Sequence, residues 1–145
     1  MPVIVAVQAE GSNNIVRNLH SESFTSLPSK TVADSISVDI PRNFFMARKF
    51  LKKYQGEAVE VSDAEILNAS KALSANTGIF AEPAAATAFA GLLKQMSESK
   101  ISAAENVCVL LTGSGLKDVN AVQPIIDIPE AVHPEKFLED FNYTS

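Results

Sequence analysis

The run "VCVLLTGSGLKD", residues 107–118, holds the first residues whose types and spacing could do chemistry. An apolar, β-branched stretch stops at Thr112, and Gly113, Ser114 and Gly115 follow before the charged Lys117 and Asp118. A buried strand opening onto a ligand has this pattern, because ligands of α/β sheets bind beyond the carboxyl ends of the strands. Two glycines around one residue could also cradle an anion on bare backbone amides. Spacing alone leaves this open. A dinucleotide fingerprint needs a third glycine where Asp118 stands, and a nucleotide-hydrolase phosphate loop needs four residues between its glycines and then Gly-Lys. A plain strand-to-turn connection, with Thr112 and Ser114 bonded locally to backbone, explains the same residues. Glu82 is the second candidate, a carboxylate just ahead of Pro83 where a helix dipole favours its charge; a simple helix-start anion accounts for it equally well.

The other reactive side chains offer less. His20 and His133 stand far apart in polar surroundings, with no cysteine or carboxylate at metal-ligand spacing, so both read as surface histidines and no metal site is expected. No nucleophile elbow is present. The single cysteine, Cys108, precludes a disulfide within the chain, and its place in the strand-like run suits a small buried hydrophobe better than a reactive thiol.

These residues need elements to position them. The 145 residues match one domain, residues 1–145, able to bury roughly 68–70% of its unfolded surface. With 46% hydrophobic residues, 20% charged and a net charge of -5, the chain is globular and mildly acidic. Nucleic acid is not an expected partner, since a phosphate backbone calls for a basic stripe. Arg48, Lys49, Lys52 and Lys53 instead fall among apolar residues at helical spacing and read as a solvated helix face. "MPVIVAVQAEG" lacks a basic leader, its apolar run ends at Gln8, and no stretch approaches the roughly 20 apolar residues of a membrane span. No membrane association is expected, and a reducing, cytoplasmic setting fits.

"PVIVAVQAE" reads as a buried parallel strand, followed by a short helix in "SNNIVRNLH" with Ser12 as cap. "SISVDI" reads as a second strand and Pro41 as the opening of a helix with Phe44, Ala47, Leu51 and Tyr54 on one side, ended by Gly56. A short strand then leads to a helix whose Ser62 and Glu65 stand at capping-box spacing and whose end is Thr77-Gly78. Pro83 suits the first turn of an alanine-rich helix able to approach its neighbours closely, and residues 107–111 read as the last core strand. The three prolines of the tail make residues 119–145 an extended wrap ending in a helical turn or two. Strands alternating with helices predict an α/β fold in three layers, a mostly parallel sheet flanked by helices.

Four stretches in order, "PVIVAVQAEG", "KTVADSISVDIPRN", "GIFAEPAAATAFAGLL" and "VCVLLTGSGLKD", resemble the threonine synthases. More broadly they resemble the pyridoxal-phosphate enzymes that share the tryptophan synthase β-subunit fold. The last two stretches are the most specific, and together the four look like the C-terminal half of the larger domain of such an enzyme. The resemblance implies pyridoxal phosphate as cofactor and an amino-acid substrate. It implies that Thr112 hydrogen-bonds the pyridine nitrogen, that Glu82 lies near the ring, and that Ala33 lies against a ring face. Gly113, Ser114 and Gly115 would form the rest of the cofactor loop, its glycines letting backbone approach without a Cβ in the way. A hydroxyl can donate to the ring nitrogen but cannot hold it protonated, so the electron sink is milder than with an aspartate partner.

The same resemblance implies two further parts: a lysine that forms a Schiff base and an asparagine-glycine loop that grips the phosphate. Both are missing here, and Ser29-Lys30 aligns with a different region. No catalytic residue is therefore assigned in this chain, weak or no cofactor binding is expected of it, and it reads as a fragment inactive alone. In the intact parent the implied reaction converts O-phosphohomoserine and water to threonine and phosphate. A serine or threonine dehydratase or other ammonia-lyase is the alternative within the fold. A non-catalytic α/β module, self-associating or pairing with a missing N-terminal half, is the alternative outside it.

Overall fold

The structure, a computed structural model, describes residues 2–126 and 130–131. Strand β1 (Val5–Ala9) pairs in parallel with β2 (Glu57–Val61), in register from Val5 opposite Glu57 to Ala9 opposite Val61. A parallel pair needs a crossover, and helix α1 (Phe44–Lys53) lies within it. Along β1 the side chains alternate between faces. Val5 and Val7 pack on the core, while Ile4 and Ala6 line an apolar groove with Ala47, Phe50, Leu51 and Tyr54 of α1 and its C-terminal end. Helices α2 (Asp63–Thr77) and α3 (Pro83–Ser97) cover the core face. Three layers result, with a two-stranded parallel sheet in the middle, as the alternation of strands and helices predicts. No helix among the described residues is long and apolar enough to cross a membrane.

Small side chains set how tightly the layers meet. Ala69, Ala81, Ala85, Ala86 and Ala90 are buried with Val59, Val61, Ile66 and Leu73. A Cβ at Gly91 would fall 2.4 Å from Val7 Cγ2, so α3 rests directly on β1. The close approach expected of the alanine run is therefore real, and each larger aliphatic buried beside it contributes about 1.5–3 kcal/mol.

The start of α2 is fixed by a complete capping box. The Ser62 amide donates to Glu65 Oε2 at 2.6 Å, and the Glu65 amide donates to Ser62 Oγ at 3.3 Å. The Ser62 amide bond holds the Glu65 carboxyl below its usual range, against the opposing cost of burial. Gly78, at φ +72°, closes the helix in the left-handed cap that favours glycine.

Four expectations are corrected. Residues 12–19 form turns, because Gln8 Oε1 captures the Ile15 and Val16 amides at 2.9 and 3.0 Å and Asn18 Nδ2 takes the Asn14 carbonyl at 2.8 Å. Side-chain bonds of this kind compete with helix propagation. Ser12, rather than capping a helix, is a buried tie: it donates to Ile36 O at 3.0 Å and accepts from the Val38 amide at 3.1 Å. "SISVDI" is a 3-10 turn (Asp34–Ile36) and a bend, its backbone being spent on these side chains rather than on a strand neighbour. Residues 107–111 run without a ladder partner among the described residues, leaving Leu110 73% exposed and Cys108 exposed where burial is predicted. Residues 119–125 coil into the short helix α4 (Val119–Val122) and a 3-10 turn instead of extending; most of the tail lies outside the described residues.

The loop ahead of α1 is also tied to α2. Asp63, at the start of α2, accepts from Thr31 Oγ1 at 2.5 Å and from the Val32 amide at 3.2 Å, holding the segment that buries Ala33 completely.

Two predictions test this architecture. Asn18 is buried and bonds Asn14 O, Thr25 O and the Thr25 amide. Asn18→Ala should cost about 1–3 kcal/mol in urea unfolding, whereas Asn76→Ala on an exposed surface should be near neutral; equal effects would contradict the loop's polar core. Because Glu65 titrates lower in the folded state than in the unfolded chain, its stabilisation is present above the unfolded pKa and lost as pH falls through the folded one. The stability gap between wild type and Glu65→Gln should therefore shrink from about pH 6 to about pH 3, and a gap that widened would refute the assignment.

Candidate functional site

Two stretches meet at the N-terminal end of α3. Residues 80–82 and 113–115 run antiparallel, with Ala81 bridged to Ser114. The Glu82 amide donates to Gly113 O at 3.2 Å, and the Gly115 amide donates to Phe80 O at 2.9 Å. Ser70 of α2 ties the same stretch from below, donating to Ala81 O at 2.9 Å.

The glycines are required by this packing. A Cβ on Gly113 would lie 1.9 Å from Glu82 Oε1, and one on Gly115 would lie 2.4 Å from the Phe80 ring. That is a reason for both glycines independent of any ligand.

Glu82 occupies the N-cap position of α3 yet makes no side-chain capping bond. Its carboxylate turns to Gly113 instead, and the residue as a whole is 5% exposed. Among the described residues it accepts no hydrogen bond, and its charge partner is Lys117, with Nζ 3.6 Å from Oε2. Glu82 thus stands at the helix start, where the dipole favours its charge, without serving as a hydrogen-bonding cap. Thr112 is exposed at the edge of the same loop, and its hydroxyl makes no hydrogen bond among the described residues. Ser114 does behave as a local turn residue, accepting from the Leu116 amide at 3.3 Å. Asp118 in turn caps α4 through the Ala121 amide at 3.3 Å.

Glu82, Gly113, Ser114 and Gly115 are therefore in one place, with Thr112 beside them. Ala33 belongs to the same buried cluster as Ala81, Ala85 and Ala86, against which Leu111 also packs. His20 lies apart, in a surface hollow beside Arg48, Lys49 and Lys52, and His133 lies outside the described residues. Sequence reasoning assigns no role to Lys117 or Asp63. Their signals are faint: a lysine two residues past Gly115, and an aspartate directly after a cap.

An exposed hydroxyl, a carboxylate paired with Lys117 and a nearby cluster of alanines give this rim the groups to meet the polar edge of a planar ring. The sequence profile described as "Pyridoxal-phosphate dependent enzyme" matches residues 2–113. The chain belongs to this family. It is similar to the threonine synthase of Halalkalibacterium halodurans, 37% identical over 134 residues, which span 92% of this chain and 36% of that protein. The threonine synthase of Methanocaldococcus jannaschii is 36% identical over 124 residues, spanning 83% of this chain and 31% of its own length. The chain thus spans about a third of the length of these curated relatives. Among solved structures, the L-serine ammonia-lyase of the fungus Rhizomucor miehei superposes with a TM-score of 0.67 at 20% identity, covering 83% of this chain and 40% of that one. The fold is that of the fold type II pyridoxal-phosphate enzymes.

The contact between Glu82 and Gly113 yields a prediction. Gly113→Ala must swing the flexible end of the Glu82 side chain aside, so it should cost less than the roughly 1–3 kcal/mol of an overpacked core while hydrogen exchange at the Glu82 amide speeds up. Exchange at that amide unchanged from wild type would show that the loop does not rest on Glu82.

Proposed function

We propose that this chain supplies the ring-binding part of a threonine synthase-type catalytic domain, and that Thr112, Gly113, Ser114, Gly115, Glu82 and Ala33 line the cofactor there. The observation that carries this reading is the position of an exposed Thr112 hydroxyl, bonded to no described residue, beside a Glu82 carboxylate whose partner among the described residues is the Lys117 ammonium. Neither group is an orphaned buried atom, and a ligand with polar atoms at its edge would take the place of water at this rim. The residues present thus fit the ring end of pyridoxal phosphate, which when bound supplies an electron sink for chemistry at the amino-acid substrate. Thr112 would donate a hydrogen bond to the ring nitrogen without bringing a negative charge. Glu82 presents a carboxylate beside that edge, and Ala33 leaves room for a ring face. A covalent lysine anchor and a phosphate-gripping loop have no assigned residues in this chain, so the catalytic proton transfers belong to polypeptide outside it.

The reaction of the complete protein, on this reading, turns O-phosphohomoserine and water into threonine and phosphate in a reducing, cytoplasmic setting. The 36–37% identity to threonine synthases favours it over an ammonia-lyase, whose support here is fold likeness at 20% identity. Release of phosphate rather than ammonia by the complete enzyme distinguishes the two. The edge of β1 without a strand partner among the described residues and the apolar groove of Ile4, Phe50 and Tyr54 are where the remaining polypeptide would pair with this chain.

Mixing the chain alone with pyridoxal phosphate and recording absorbance tests the division of labour. No imine band should form, and any slow surface adduct should survive replacement of each single lysine. A band abolished by one lysine substitution would locate the anchor inside this chain and overturn the reading.

A further inference from the structure

We infer that Lys117 is a positioning residue for Glu82, closing the Thr112–Gly115 loop onto the start of α3; its relevance to catalysis rests on the proposed ring-binding function. The loop leaves Gly113 and turns through a 3-10 turn (Gly115–Lys117) whose Ser114 oxygens hold the Leu116 and Lys117 amides at 3.3 and 3.1 Å. That turn sends the Lys117 ammonium back to within 3.6 Å of Glu82 Oε2. Beyond it, the Asp118 cap on α4 fixes the departing chain.

Glu82 needs this partner. Its side chain is 7% exposed, it forgoes the free amides of α3, and no hydrogen bond from a described residue compensates its charge. A buried carboxylate without a counter-charge is costly and turns toward water where it can. For Glu82 that would mean leaving Gly113, whose missing Cβ makes the space it fills. Lys117, with a side chain 64% exposed, bears little of the desolvation and remains hydrated on its outer side. Its packing contribution is correspondingly small, so its role is electrostatic. The pair spans the two stretches otherwise joined by the backbone bonds at Glu82–Gly113 and Gly115–Phe80.

Hydrogen exchange of the Glu82 and Gly115 amides, followed by NMR on this chain without cofactor, tests the clasp. Lys117→Met should speed both about two- to fivefold, the range of a solvent-facing ion pair, with the mid-helix amides of Leu73 and Ala90 unchanged. Lys117→Arg should restore the wild-type rates. Added salt should bring wild type toward Lys117→Met and leave the methionine variant unmoved. In a Glu82→Gln background, Lys117→Met should have no further effect, since the cycle isolates the charge pair. Unchanged loop rates in Lys117→Met, the same acceleration in the Glu82→Gln background, or acceleration extending to Leu73 and Ala90 would each overturn the inference. As no cofactor is added, failure of the proposed function would leave this result standing.

Discussion

The approach of α3 to β1 is the contact on which the rest of the molecule depends. Gly91 has no side chain where Val7 stands, and Ala85, Ala86 and Ala90 continue the same thin surface along the helix. Interiors are packed like crystals, and a helix seated this closely cannot shift without opening a void or a clash. The residue that precedes it, Glu82, therefore stands at a fixed place on the rim, and Gly113 comes to lie on the carboxylate. The rim inherits its geometry from a row of small residues in the core.

A second constraint comes from the polar loop between β1 and α1. Here side chains do what secondary structure does elsewhere: Gln8, Ser12, Asn14 and Asn18 satisfy backbone groups over residues 15–38. Asp63 then ties the loop to α2 through Thr31 and Val32. A buried Ala33 follows directly from that tie. Irregular backbone under such control is held as firmly as a strand, although it has no ladder partner.

Where one local force dominates, the sequence is legible. The capping box at Ser62 and Glu65, the Gly78 terminus and the Pro83 start all stand where their spacing predicts, because each is decided within a few residues. β1 and β2 both stand where an apolar run and a short alternating run read as strands, and they pair in parallel. The misread segments are those whose partners are distant or not among the described residues. "SISVDI" has the composition of a strand, yet its backbone answers to Ser12 and Asn14 from over twenty residues away. Residues 107–111 have strand composition too, but a ladder needs a neighbour, and β-propensity describes a fit to one. At the candidate site the loop and Glu82 are visible as residue types, while the turning of Glu82 away from its helix and toward Gly113 and Lys117 is not. That choice depends on a glycine far along the chain, beyond the whole of α3.

The chain belongs to the pyridoxal-phosphate dependent enzymes and spans about a third of the length of its threonine synthase relatives. What remains central is the Thr112 hydroxyl as the contact to a ring nitrogen. Its most direct test is a crystal structure of this chain joined to the polypeptide that completes the domain, with pyridoxal phosphate bound. Thr112 Oγ1 should lie about 2.7–3.2 Å from the pyridine nitrogen, with the Glu82 carboxylate beside the same ring. A ring whose nitrogen meets a different side chain, or which sits away from the 112–115 loop, would contradict it.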